Sequence, residues 1–195
     1  MIKKKIGIDL DNTIINYNNA FTKFLKKKKI HLKEINRDKI KKISNENPKI
    51  INWTYAQEEI YGKYIKYAKL FSYYKSFEKF AIKNKFKLYI ISHKTHLSEY
   101  SKKYDLHKVA NLWLKKNLKK KKYKIFFLNS ITEKLNKIKT INPDFYIDDL
   151  EKILINKRLP KKIKKIHFSI KKKSKVLNFD NWKKIKEFIK KNENI

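Results

Sequence analysis

Five short apolar runs, at residues 5–10, 86–91, 124–128, 144–147 and 164–170, set the frame of this chain. Most are continuous rather than alternating, the pattern of parallel strands covered on both faces. Between them, apolar residues recur at helical spacing. Phe77, Phe80 and Ala81 share a face ahead of the second run, and Leu106, Val109, Ala110, Trp113 and Leu114 do so after it. Ser130, with Glu133 three residues on, is a capping-box signature that opens a helix carrying Leu135 and Ile138. Trp182, Ile185, Phe188 and Ile189 form the inner face of a last helix. Strands alternating with helices predict an α/β fold: a doubly wound, Rossmann-like, mostly parallel sheet of five strands.

One interval breaks that rhythm. About 75 residues separate the first two runs, far more than a simple crossover needs. Ala20, Phe21, Phe24 and Leu25 fall on one helical face there, followed by Ile35, Ile40 and Ile43. After the Asn47-Pro48 break come Ile60, Tyr61, Tyr64, Ile65 and Ala68. This reads as a small helical insertion over 17–73, with the core built from 1–16 and 74–195. The aromatic residues of the insertion, Trp53, Tyr55, Tyr61 and Tyr64, read as its core more readily than as substrate-stacking groups.

A chain of 195 residues suits one core domain with such an insertion. With 41% hydrophobic and 14% aromatic residues it can bury a real core. No apolar run approaches the ~20 residues of a membrane span, and the start, MIKKKIGIDL, lacks the apolar segment of a secretory signal. A cytoplasmic protein is expected. Cysteine is absent, which excludes disulfides, zinc–thiolate sites and thiol catalysis. Gly7 and Gly62 are the only glycines, too few for a glycine-rich phosphate loop.

The formal charge of +34, from 52 basic and 18 acidic residues, first suggests nucleic acid. Its distribution favours compositional bias instead. Arg37 and Arg158 are the only arginines, whereas specific readers of bases and phosphates prefer the arginine fork. The lysines spread along the whole chain, with short runs at 26–29, 119–122 and 171–173 that read as solvated helix ends and loops. A field of this sign concentrates anions, phosphorylated substrates included, and weakens with salt.

The sharpest feature is Ile8-Asp9-Leu10-Asp11-Asn12-Thr13, where a buried strand ends in two acids spaced i, i+2. In open α/β sheets, ligands bind at the carboxyl ends of strands. Two carboxylates ~4 Å apart repel by about 4 kcal/mol at an effective dielectric of 20, so a metal, a proton or a lysine must offset them. A second acid pair, Asp148-Asp149, ends another apolar strand. Parallel neighbours would bring the two pairs together as an oxygen-rich site for a hard cation, Mg²⁺ being the best fit. A third strand ends in Ser92-His93-Lys94-Thr95, offering a hydroxyl and backbone N–H groups to an oxyanion. Lys134, in the first turn of the helix opened by Ser130, could neutralise a carboxylate and a phosphate together. His93 and His96, spaced i, i+3, read as substrate or loop contacts rather than a second metal site. Each piece alone has a bland alternative, since strand-end acids often form turns and Ser92 could be a cap; the order of all four along one chain is what singles them out.

These residues resemble the haloacid dehalogenase (HAD) superfamily, whose commonest members are Mg²⁺-dependent phosphatases. Asp9, Asp11 and Thr13 fit its first motif, Ser92 its second, Lys134 its third, and Asp148 and Asp149 its fourth. Ser92 to Thr95 and Tyr104 to His107 also resemble the S-H-K-T and Y-D-L-H stretches of one subgroup. Asn12 stands where the family usually carries glycine; asparagine tolerates left-handed φ, so the turn is expected to survive. The insertion lies where the family carries a helical C1-type cap. The resemblance implies Asp9 and Asp11 as catalytic residues. It implies Ser92, His93, Lys134, Asn12 and Thr13 around the phosphate, and Asp9, Asp11, Asp149 and Asp148 around Mg²⁺, Asp11 through its backbone carbonyl and Asp149 as the favoured direct ligand. The implied substrate is a small phosphorylated metabolite. The competing readings are a nucleic-acid 3′-phosphatase, a non-catalytic binding module on the same scaffold, and a basic nucleic-acid-binding protein with an incidental motif.

Overall fold

The computed structural model of the chain describes residues 3–33, 35–170 and 173–195; Lys171 and Lys172 of the last lysine run lie outside them. Contacts divide the chain into two compact units. The first comprises Met1–Ile15, Leu70–His93 and Leu118–Ile195, and the second Asn16–Lys69 and Lys94–Asn117.

The first unit is built on a sheet of β1 (Lys5–Ile8), β4 (Lys87–His93), β5 (Tyr123–Leu128), β6 (Phe145–Asp148), β7 (Lys164–Phe168) and β8 (Leu177–Phe179). The strand order is β5-β4-β1-β6-β7-β8 and every pairing is parallel. The expected five strands are thus joined by a sixth, the three-residue edge strand β8. Two further short strands, β2 (Ile15–Asn16) and β3 (Lys69–Leu70), form a separate ribbon.

Helices α4 (Tyr74–Lys83), α6 (Ile131–Ile141), α7 (Glu151–Leu154) and α8 (Trp182–Glu193) cover the sheet. Alternation along the strands decides which helix each residue meets. Tyr89, Ile91 and Tyr146 pack with Leu135 and Ile138 of α6 and with Ile153 and Leu154 of α7. Phe145, one residue before Tyr146, instead meets Phe188 of α8 edge-on at 6.4 Å. On that second face the fully buried Trp182 packs against Tyr74, Phe77 and Phe168, with ring centroids 4.7, 4.6 and 5.5 Å away. Covering both faces explains why the strands read as continuous apolar runs. Gly7 sits where Tyr146 crosses β1: a Cβ there would lie 2.8 Å from the tyrosine ring.

The second unit is helical, with α1 (Asn18–Lys27), α2 (Arg37–Glu46), α3 (Trp53–Tyr61), a 3₁₀ turn at Lys63–Tyr67, and α5 (Leu106–Asn117). Ala20, Phe21, Phe24 and Leu25 of α1 are buried, as are Ala56 and Ile60 of α3 and Ala110, Trp113 and Leu114 of α5. Phe21 stacks on Trp53, and Phe24 meets Tyr64 edge-on. Trp113 Nε1 donates to the Ala68 carbonyl at 3.3 Å. Glu58, 3% exposed, accepts from the Ser101 amide at 2.7 Å and from its hydroxyl. No helix among the described residues is long and apolar enough to cross a membrane.

Candidate active site

Strand β1 ends at Ile8, and the next amide, of Asp9, still donates to the Ile147 carbonyl of β6 at 2.9 Å. That bond extends the parallel register by one residue and sets Asp9 beside Asp148, the last residue of β6. Both are buried, Asp9 at 4% and Asp148 at 0% exposure. Between them lies the Lys134 ammonium, 2.6 Å from Asp9 Oδ1 and 2.7 Å from Asp148 Oδ2. The helix that presents Lys134 starts as its sequence dictates. Ser130 accepts from the Glu133 amide at 3.1 Å, and Glu133 reaches back to the Asn129 amide at 3.0 Å.

Asp148 is held by three donors. Besides Lys134, its Oδ2 accepts from the Tyr146 hydroxyl at 2.9 Å and its Oδ1 from the Leu150 amide at 2.8 Å. Oxygens of Asp9, Asp148 and Asp149 all lie within 4.8 Å of one another. His167 braces the turn: its Nε2 lies 3.1 Å from the Asp149 backbone carbonyl and its Nδ1 3.0 Å from Ser174 Oγ.

Beyond β1 the chain makes a tight loop, with the Asn12 amide donating to the Ile15 carbonyl and the Ile14 amide to the Leu10 carbonyl. Asn12 takes φ 62°, a left-handed conformation that asparagine tolerates better than most residues. The indole of Trp182 donates to the Thr13 carbonyl at 3.0 Å and holds the loop from beneath. Asp11 is half-buried. Ser92 is the penultimate residue of β4, the strand that pairs with β1, and lies two residues beyond the last β1–β4 pair, Ile8 and Ile90. The hydroxyls of Ser92 and Thr13 are buried without a hydrogen-bond partner, which is costly unless a ligand completes them. His93 is exposed, its Nε2 3.3 Å from the Asn129 carbonyl. His96, in the helical unit, pairs with Asp105 at 3.3 Å and has its ring 5.1 Å from that of His107.

The electrostatics follow from this crowding. Burial, and then the nearby Asp148 and Asp11 charges, push the Asp9 carboxyl up to about 7 against the pull of Lys134. Burial alone would lower Lys134, but Asp148 and Asp9 hold its ammonium above the usual lysine range. Tyr146 is raised well above its ordinary value by burial and by Asp148. With Asp9, Asp148 and Asp149 all ionised, the one ammonium of Lys134 leaves two negative charges, which a divalent cation would balance. An all-oxygen donor set suits a hard ion such as Mg²⁺. The residues therefore fit the metal.

Tyr146 and His167 were not singled out as site residues from the sequence. Tyr146 was legible in principle, since it lies two residues before Asp148 in a strand and so shares its face. His167 carries no signal in the sequence, because it meets the acid cluster through the Asp149 backbone carbonyl.

The sequence matches no protein-family model and no curated protein. The likeness lies in the coordinates. A predicted phosphatase from Clostridium acetobutylicum matches at TM-score 0.63 and 12% identity, over 98% of this chain and 100% of that one. A HAD-superfamily hydrolase from Ehrlichia chaffeensis matches at TM-score 0.54 and 17% identity, over 98% of each chain. This chain has the fold of the HAD superfamily. Another HAD structure, YfnB from Bacillus subtilis, which was solved bound to magnesium, matches at TM-score 0.62 and 12% identity over the full length of both chains.

Proposed function

We propose that the chain is a Mg²⁺-dependent phosphatase that hydrolyses a small phosphomonoester, of the nucleotide or sugar phosphate class, in the cytoplasm. The observation that carries this reading is the buried Asp9–Lys134–Asp148 array, with Asp149 beside it, at the carboxyl end of a HAD-type sheet. Phosphoryl transfer needs an in-line nucleophile, charge neutralisation and a proton for the leaving group. The Asp9 carboxylate attacks phosphorus, forming an aspartyl phosphate as the bond to the substrate oxygen breaks. Asp11 gives a proton to the departing alkoxide and then takes one from the water that hydrolyses the acyl phosphate. Lys134 and Ser92 hold the non-bridging oxygens, with His93, Asn12 and Thr13 completing the surround.

Asp9, Asp149 and the Asp11 backbone carbonyl would hold Mg²⁺. Asp148, already engaged by Lys134, Tyr146 and Leu150, joins or braces that set. The bound cation supplies the charge screening that lets a carboxylate approach a phosphate dianion. The insertion at 17–73 is proposed as the family-type cap, which favours small free monophosphates over polymer ends.

The test is turnover of p-nitrophenyl phosphate, followed by a panel of phosphorylated metabolites with and without Mg²⁺. Asp9→Asn should lower turnover by on the order of a thousandfold or more with the circular dichroism spectrum unchanged. Undiminished turnover in that variant would refute the nucleophile assignment.

A further inference from the structure

The end of the sheet opposite the acid cluster carries a different kind of site. A groove of about 410 Å³ opens there, lined by Lys3, Lys85, Lys87, Lys121, Lys122 and Lys124. These residues lie at or just before the amino ends of β1, β4 and β5. No acidic residue lines the groove. Among the described residues none of the six lysines forms an ion pair, whereas neighbouring Lys4 is bound by Asp144 and Glu193. Composition alone predicts fewer cations: 52 of 195 residues are basic, yet lysine supplies six of the eleven that line this groove. Two other grooves among the described residues differ: one carries two lysines, and one sets three lysines beside Glu187.

Adjacent strands spaced ~4.8 Å apart fan these ammoniums across a ledge, matching a row of closely spaced anions better than one small phosphate. The lysines bring point charges without the bidentate fork that reads bases. The aromatic rings of the groove are committed elsewhere. The Tyr123 hydroxyl donates to Glu78 and lies 3.0 Å from that of Tyr74, Phe86 packs on Phe80, and Tyr89 belongs to the core. No ring is left to stack on an unpaired base, as single-strand binders require.

We propose that this groove binds the phosphate backbone of a nucleic-acid duplex without sequence preference. The inference is independent of the phosphatase reading, because it uses the other end of the sheet.

Fluorescence anisotropy of the full chain with a labelled ~20-base-pair DNA duplex, at KCl from roughly 50 to 300 mM, tests it. The expected binding weakens with salt, at a log–log slope of about −0.9 per phosphate contacted. Replacing Lys85, Lys87, Lys121, Lys122 and Lys124 with Gln should weaken binding at least about tenfold and flatten the slope. A charge-matched control, with Lys152, Lys157, Lys173, Lys175 and Lys183 replaced by Gln, should stay within about threefold of the parent. Arginine at the five groove positions should retain binding, which separates lost charge from lost fold. Equal loss in the groove and control variants, no duplex binding at low salt, or tighter binding to the single strand would each overturn the proposal.

Discussion

Asn12 shows how far a single residue could be read ahead of the structure. Its departure from the family glycine was expected to leave the turn intact, and its φ of 62° is the conformation that expectation required. Lys134 is one lysine among dozens, and no pattern in the sequence marks a lysine as buried. Two ion pairs of 2.6 and 2.7 Å in a sealed setting single it out. Lys134→Met should destabilise the fold by about 3–5 kcal/mol, since it leaves two buried carboxylates uncompensated. Urea denaturation should show part of that loss restored by MgCl₂ in the variant.

Glu58 gives a second prediction at this scale. Burial alone would raise its carboxyl, but the hydroxyl and amide of Ser101, then Ser98 and Lys103, outweigh it and hold the group below the usual glutamate range. A depressed carboxyl stabilises the fold above its unfolded pKa of about 4.3 and loses that contribution as pH falls through the folded value. Glu58→Gln should therefore cost about 1–2 kcal/mol at neutral pH. The gap from the parent should close below about pH 4, as read from denaturation midpoints across pH.

At the scale of elements, the strands that place the acids were legible because both faces are buried, which makes each a plain apolar run. Strand β8 was not. Leu177-Asn178-Phe179 has three residues, one of them polar, and pairs on one side only. Helix α6 was readable from its first turn, where Ser130 and Glu133 act as a reciprocal cap shifted by one residue, the glutamate reaching the Asn129 amide. Ser130→Ala should cost about 1 kcal/mol, lowering Tm by about 2–4 °C in a thermal melt. Turnover should fall as well, because the turn that frays is the one presenting Lys134. Tyr146 and Trp182 belong to this scale too. Each was visible as a core residue, but the polar end that each aims at the site depends on the packing of another element.

For the whole molecule, the charge of +34 has to be tolerated by the folded state. Lysines that face one another across a compact surface repel more than they do along an extended chain. Raising KCl from low to physiological strength and beyond should therefore raise Tm by a few degrees, the opposite of a fold held by surface ion pairs. A flat or falling melting temperature would contradict this. The alternation of strands and helices revealed the α/β class, while composition concealed where charge gathers: only the sheet register brings residues near 3, 85 and 122 to one edge.

The enclosure of Lys134 also makes it a built-in reporter. All but two of the 52 basic residues carry primary amines, so an acylating reagent finds targets nearly everywhere on the surface. Lys134 and Lys94 are the buried lysines among the described residues. Acylation of Lys134 must wait for the surrounding structure to open. Mass spectrometry of that one peptide, followed over time, would then act as a clock for how often the acid cluster breathes.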